Sequence, residues 1–365
     1  MKRVLLLWLC SMCLVLFAHA QEVSPTPAYE LDATATSNAP WKTGEVIPNT
    51  RQSIYDGNTH YVYRKFLGMT TRGYYLVQDF YEEHGQKLTD PYVLIDRADV
   101  DGEENQRNRV PPKIDGSYIS WYPNGQKRWE GLYIDGKKEG LSISWSKSGN
   151  KWSEGYFKND LREGLWTRWY SNGSKKAEEC YINGVPDGLW TEWHENGQKA
   201  SEGHYANGEK DGIWLTWHLN GKKESQESYK NGVANGLWGT WHEDGQKMSG
   251  GNYINGQRDG LWRTWDANWG ITSEGRYVNG KEEGLWKSRW SEGHLSSEGH
   301  YKNGQMNGAW TRWSQNGLYV THEFYDNGKP IGIHRTMDLN GNLVTETNYD
   351  EPVNERNSLI SNDVY

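Results

Sequence analysis

Cysteine, phenylalanine and proline are scarce in this chain of 365 residues, at three, five and eleven copies. Two of the cysteines, Cys10 and Cys13, fall in the N-terminal apolar run. Once that run is removed Cys180 stands alone, so an intramolecular disulfide and a Cys-x-x-Cys metal site are both excluded and the thiol reads as incidental. Apolar runs are also missing beyond Val4–Phe17, which is too short to span a bilayer. Charge of one sign is missing too. Forty basic and 48 acidic residues leave a net charge of -8 with no basic run, so the counterion-release footprint of a nucleic-acid binder is absent. A Gly-rich phosphate loop, a His-Glu-x-x-His pair and a nucleophile elbow are not found either, which leaves no motif for an enzyme and calls for no cofactor.

What the chain does hold is 21 Trp, 23 Tyr and 42 Gly, a composition suited to aromatic, glycine-rich hairpins. A Tyr or Phe stands at 133, 157, 181, 205, 229, 253, 277, 301, 325 and 349, a period of 24 residues with no insertion. One Trp keeps phase at 166, 190, 214, 238, 262, 286 and 310, and a second at 121, 145, 169, 193, 217, 241, 265 and 313. A fixed period of this kind marks a repeat array in which each unit leans on its neighbours. Two Asn-Gly pairs recur per unit, as at 207–208 and 220–221, and Asn-Gly between β-prone segments favours the type I′ turn. The expected fold is therefore all-β: an elongated single-layer antiparallel meander of tandem 24-residue β-hairpins.

Taken in order, residues 1–20 read as a cleavable secretory signal: Lys2 and Arg3, then Val4–Phe17, then Ala18-His19-Ala20. The mature chain is expected to start near Gln21 in a periplasmic or secreted setting, with no transmembrane helix and no lipid anchor. Residues 21–52 read as a flexible tether rich in Pro, Thr, Ala and Asn. Residues 53–98 alternate aromatic and polar side chains, as in 60–66 and 73–81, and form a small β region: a degenerate repeat acting as N-terminal cap, or an independent module. Residues 99–115 are a charged linker ending in a double Pro, 116–350 are the repeats with a worn tenth copy, and 351–365 are a frayed tail.

If Asn-Gly at the second-Trp end is a two-residue turn, Trp262 and Trp286 face Gly275 and Gly299, and Tyr253, Tyr277 and Tyr301 face Gly236, Gly260 and Gly284. Rings then lie over cross-strand glycines. Trp166, Trp214 and Trp310 meet Glu179, Glu227 and Glu323 instead. The second Trp falls on the other face, and the offset of three between the two Trp is where a bulge is expected. Trp145, Trp169, Trp193, Trp217, Trp241, Trp265 and Trp313 thus form the candidate ligand-binding stripe. His194, His218 and His242 also recur, but two strands separate them by about 9.5 Å, too far to share one zinc. Repeated carboxylates such as Glu154, Glu202, Glu274 and Glu298 likewise lack the uniqueness of a catalytic pair.

The pattern E-G-x-Y-x-N-G-x-x-x-G-L-W-x-x-W-x-x-N-G-x-K, carried by Tyr205, Asn207, Gly208, Gly212, Trp214, Trp217, Asn220 and Gly221, resembles MORN-repeat proteins. The resemblance is to the bacterial variant repeats known as antitoxin-like components of toxin–antitoxin systems, and it covers Gly116 to about Tyr349. It implies a non-enzymatic hairpin array that binds proteins or lipids. Three functional expectations follow: an exported scaffold docking a protein or cell-envelope partner; a carbohydrate or lipid-headgroup binder using the aromatic stripe; or an immunity-type protein that neutralises a toxin by direct binding.

Overall fold

A computed structural model describes residues 29–55, 58–101, 112–266 and 270–351. The expected signal, the first residues of the tether, residues 102–111 of the charged linker and the tail beyond Glu351 lie outside the described residues. By contacts the chain divides into two units, 1–197 and 198–365.

In the first unit a short helix, α1 (Ala33–Ser37), begins where Asp32 Oδ1 accepts the Ala35 amide at 2.8 Å. Strands β1 (Val46–Tyr55), β2 (Asn58–Met69), β3 (Tyr75–Tyr81) and β4 (Tyr92–Leu94) follow, then α2 (Arg97–Asp101) and β5 (Ile114–Trp121). Each strand pairs antiparallel with the next, and β4 carries the ladder into the repeats through Val93 opposite Asp115. Trp41, Ile47, Phe66, Val77, Tyr92, Leu94, Val100 and Ile114 make one buried cluster, with Tyr118 and Tyr133 of the first repeat packed against it. The tether reading is therefore corrected over 29–52. Its composition is polar, but Trp41 and Ile47 supply two anchors that bury enough apolar surface to order the segment. The linker reading is corrected at both ends: Asp99 and Val100 are buried, Asp99 accepts the Lys113 amide at 2.8 Å, and Ile114 already belongs to β5.

Beneath this cluster Arg64 is paired with Asp79 at 2.6 and 2.8 Å and donates to the Asp99 carbonyl at 2.8 Å. Tyr92 donates to the same Asp79 carboxylate at 2.8 Å. Burial pushes the Tyr92 phenol well above its ordinary range, so it stays a donor. Every strong partner is satisfied, the condition under which a buried ion pair is tolerated.

From β5 onward both units are built of hairpins. In the first unit they run from β6 (Lys127–Ile134) to β11 (Val185–Trp193), and in the second from β12 (Lys199–Ala206) to β26 (Leu343–Asn348). The turn after each Tyr is the expected two-residue one. Asn207 and Gly208 have φ of 50° and 84°, and Ala206 faces Glu209 across them. The turn after the second Trp is different. His218 N donates to the Lys222 carbonyl at 2.9 Å and Gly221 N to the His218 carbonyl at 2.8 Å, while of Asn220 and Gly221 only the glycine has positive φ. This is a three-residue loop, and the missing step is restored by a bulge: Trp217 pairs with Lys223 and Thr216 with Ser225, leaving Glu224 over. Past the bulge the expected register holds, with Trp262 opposite Gly275, Trp286 opposite Gly299 and Trp214 opposite Glu227.

The rings nonetheless do not rest on those partners. A second irregularity on the other flank sets Gly203 against three residues, Gly212 to Trp214, between the pairs Glu202–Leu215 and His204–Asp211. It turns five of the first Trp onto the glycine eleven residues before them, while Trp190 and Trp238 have Glu179 and Glu227 at that position. A Cβ added at Gly155, Gly203, Gly251, Gly275 or Gly299 would overlap the indole of Trp166, Trp214, Trp262, Trp286 or Trp310 respectively. Each indole Nε1 then donates to the carbonyl just past its glycine, as Trp214 does to His204 at 3.1 Å and Trp262 to Asn252 at 3.1 Å. The ring of the following Tyr meets it edge-on, Tyr205 on Trp214 at 4.9 Å and Tyr301 on Trp310 at 5.0 Å.

Two expected outcomes follow. Trp262→Ala should cost about 3–5 kcal/mol in denaturant melts because its indole is buried. Gly251→Ala should also destabilise, although it adds only a methyl group, because its Cβ would overlap the buried Trp262 indole and force it to move. An unchanged midpoint in either variant would contradict the ring-on-glycine packing.

Candidate functional site

The second Trp stands three positions after the first on the same strand and so projects from the opposite face. All seven stripe residues are partly buried, none exposed. In the first unit the ammonium of Lys127 lies 5.0 Å from the Trp145 ring, Lys151 5.7 Å from Trp169, and Lys175 5.2 Å from Trp193. In the second unit Lys199, Lys223 and Lys247 stand 5.6, 4.8 and 4.8 Å from Trp217, Trp241 and Trp265. Trp313 differs, because the corresponding position is Leu295. Most of these lysines also reach an acceptor three residues on: Lys127 to Glu130 at 2.6 Å, Lys223 to Gln226 at 3.2 Å, and Lys151, Lys175 and Lys199 to Glu154, Glu178 and Glu202. Each of these five ammonium groups is thus held between an indole and a polar acceptor, the indole contact being worth about 0.5–1 kcal/mol at an exposed site. A ligand stacking on these faces must first displace a lysine.

His218 of the histidine row has a different task from ligation. His218 Nε2 lies 2.9 Å from the Trp241 carbonyl, 23 residues on. Tyr122, Tyr170 and Trp290 make the same contact to the carbonyls of Trp145, Trp193 and Trp313. The neighbouring asparagines join in, with Asn124, Asn172 and Asn220 donating to the carbonyls of Lys147, Glu195 and Glu243. These contacts tie one turn to the next. Among the described residues no group of three His, Cys, Asp or Glu could hold a metal ion.

A second row on the stripe face was not singled out by the aromatic pattern. Ile213, Leu237, Leu261 and Leu285 of the second unit are 56, 66, 51 and 42 % exposed. They occupy one phase of the repeat, four positions before Trp217, Trp241, Trp265 and Arg289, and face Ser228, Asn252, Arg276 and His300 across the ladder. Alternate strands place successive members about 9.5 Å apart. The signal was present in the sequence as the residue between the phased Gly and the first Trp, but there it reads as one more apolar strand position.

A double-mutant cycle on Lys199→Ala and Trp217→Ala should return a coupling of about 0.5–1 kcal/mol in thermal melts. A coupling of zero would remove the lysine from the indole face.

Comparison with known proteins agrees with this anatomy. No curated protein matches the chain. Residues 138–159, 162–183, 186–207, 210–231 and 282–303 each match the family model described as MORN repeat variant, so these hairpin units are similar to those repeats.

Proposed function

We propose that the protein is an exported, non-enzymatic repeat scaffold that docks a protein or cell-envelope partner along one face of its hairpins. The observation that carries this reading is the aliphatic row Ile213, Leu237, Leu261 and Leu285. Exposed apolar residues scattered singly need no explanation, but four in one phase, on one face and at one spacing make a contact line. The polar residues beside them, Ser228, Asn252, Arg276 and His300, supply a rim of the kind that surrounds an apolar contact. The similarity to MORN repeats implies a scaffold that binds proteins or lipids, and the secretory pattern of Met1–Ala20 supports a destination at or beyond the envelope. In this reading the Trp stripe, covered by its own lysines, stiffens the face that the aliphatic row presents.

The full chain carrying Leu237→Lys with Leu261→Lys should melt as the wild type does, since both positions are exposed, and should lose the partners that the wild type retains from envelope extracts. Identical retention by both proteins would sink the docking line. If Trp193→Ala with Trp217→Ala abolished retention on a glycan array while the row variants did not, the stripe would be the contact surface instead.

A further inference from the structure

A strand at the end of an open sheet presents a row of unpaired N–H and C=O groups, a template for another chain. Among the described residues β1 and β26 pair on one side only, with β2 and β25. Proline and bulges are the ordinary means of blunting such an edge, and β1 has both: Pro48 offers no N–H, and the register shifts between Ile47 and Arg51. β26, from Leu343 to Asn348, has neither proline nor lysine. Its one charge, Glu346, is neutralised by Arg335 at 2.7 Å. The bulge that it shares with other repeats leaves Val344 over and lies ahead of residues 345–348, which stay regular.

In the repeat before, the same edge is occupied. Thr321 and His322, the phase mates of Thr345 and Glu346, pair with Thr336 and Arg335 of β25. The turn used elsewhere to supply the next strand is closed to this one. Asn327 and Gly328 have φ of 48° and 78°, whereas their phase mates are Glu351 and Pro352. Proline is fixed near about -65° and cannot replace the glycine of a type I′ turn. The repeats therefore stop at an edge laid out for one more strand. Tyr349 N donates to the Gly332 carbonyl at 2.8 Å, so the backbone groups of the alternate residues Glu346 and Asn348 point away from β25.

We propose that this edge pairs antiparallel with the same edge of a second copy of the chain, about a two-fold axis through Thr347. The side chains choose the axis. One at Glu346 sets two carboxylates opposite each other, and one at Thr345 draws the bulged Val344 into the ladder. At Thr347 the two threonines face each other, a favourable cross-strand pair, and Glu346 of each copy lies opposite the Asn348 amide of the other. Those outward pairs exchange both their backbone hydrogen bonds, which supply the affinity in strand addition. The contact extends the ladder that already joins β23 to β25. An isologous pairing closes on itself and gives a dimer, whereas β1 of a second copy would meet the edge with a proline and a bulge. The proposal does not rest on the docking reading, although a two-fold axis normal to the sheet would set both aliphatic rows on one face.

The test is sedimentation velocity of the full chain from dilute to concentrated solution, repeated on Asn348→Pro, with oxidative cross-linking of Thr347→Cys and Thr345→Cys. The wild type should pass from monomer to dimer as concentration rises. Asn348→Pro removes an N–H that points away from β25, and should weaken the dimer at least ten-fold at an unchanged melting midpoint. Thr347→Cys should form a covalent dimer under mild oxidation, because facing Cβ atoms in such a pair stand about 4.5–5.5 Å apart. Thr345→Cys should not, since its residue lies opposite Tyr349 of the second copy. The oxidised wild type, with the three cysteines common to all variants, gives the background. A monomer at every concentration, growth beyond the dimer, equal cross-linking by the two cysteine variants, or full dimerisation of Asn348→Pro would overturn the proposal. Should Asn348→Pro lower the midpoint, sedimentation of the wild type and the two cysteine variants decide.

Discussion

A tryptophan lying flat on a glycine of the strand before it is the contact on which the repeats depend. A hairpin array without a second layer has no opposing surface in which to bury apolar area, so each unit must bury it against its own backbone. Glycine lets the indole lie flat on the chain, with Nε1 within 3.0 to 3.2 Å of the next carbonyl for Trp166, Trp262 and Trp286, and Trp190 keeps the same bond to the Cys180 carbonyl at 3.2 Å with Glu179 in the glycine position. The interaction hides ring area and satisfies the indole donor at once. The last repeat keeps the arrangement with a smaller ring: His334 takes the Trp position, its Nε2 2.9 Å from the Phe324 carbonyl and its ring 4.4 Å from that of Tyr349.

Where the glycine is replaced by glutamate the same space must hold a carboxylate, and the neighbours change with it. Glu179 is fully buried and takes hydrogen bonds from Arg168 and from Tyr181, the latter at 3.0 Å, with Arg162 3.7 Å away. Glu323 is served by Arg312 at 2.9 Å and Tyr325 at 3.1 Å, and Glu227 by Tyr229 at 2.8 Å. A buried carboxylate without such donors would be strongly destabilising. At Glu179 and Glu323 the substitution is matched by an arginine eleven residues before, Arg168 and Arg312, so the repeats are less interchangeable than their period suggests.

The two faces divide the work. One carries the ring-on-glycine packing. The other carries indoles beneath lysines and, in the second unit, the exposed aliphatic row. The region before β5 solves the problem of the open first strand by different means, a small apolar core around Phe66 and Val77 with a satisfied Arg64–Asp79 pair, and passes its sheet directly to the first repeat.

Strand positions, the 24-residue phase, the type I′ turns after each Tyr and the pairing of Trp262 with Gly275 were determined by the sequence itself, because alternation and turn chemistry act over a few residues. The register came out right although the turn after the second Trp is longer than Asn-Gly alone implies, since a bulge at Glu224 and its counterparts restores the missing step. Other features were decided only by the tertiary structure. Which glycine each indole covers depends on a bulge between Gly212 and Trp214 that exists only when both neighbouring strands are paired. The lysines over Trp145 to Trp265 come from the strand before, so their contact needs the sheet to be assembled. Trp41 and Ile47 look like isolated residues in a polar tether until Phe66, Leu94 and Ile114 close around them, and burial of that kind is a property of residues distant in the chain, which local pattern cannot express.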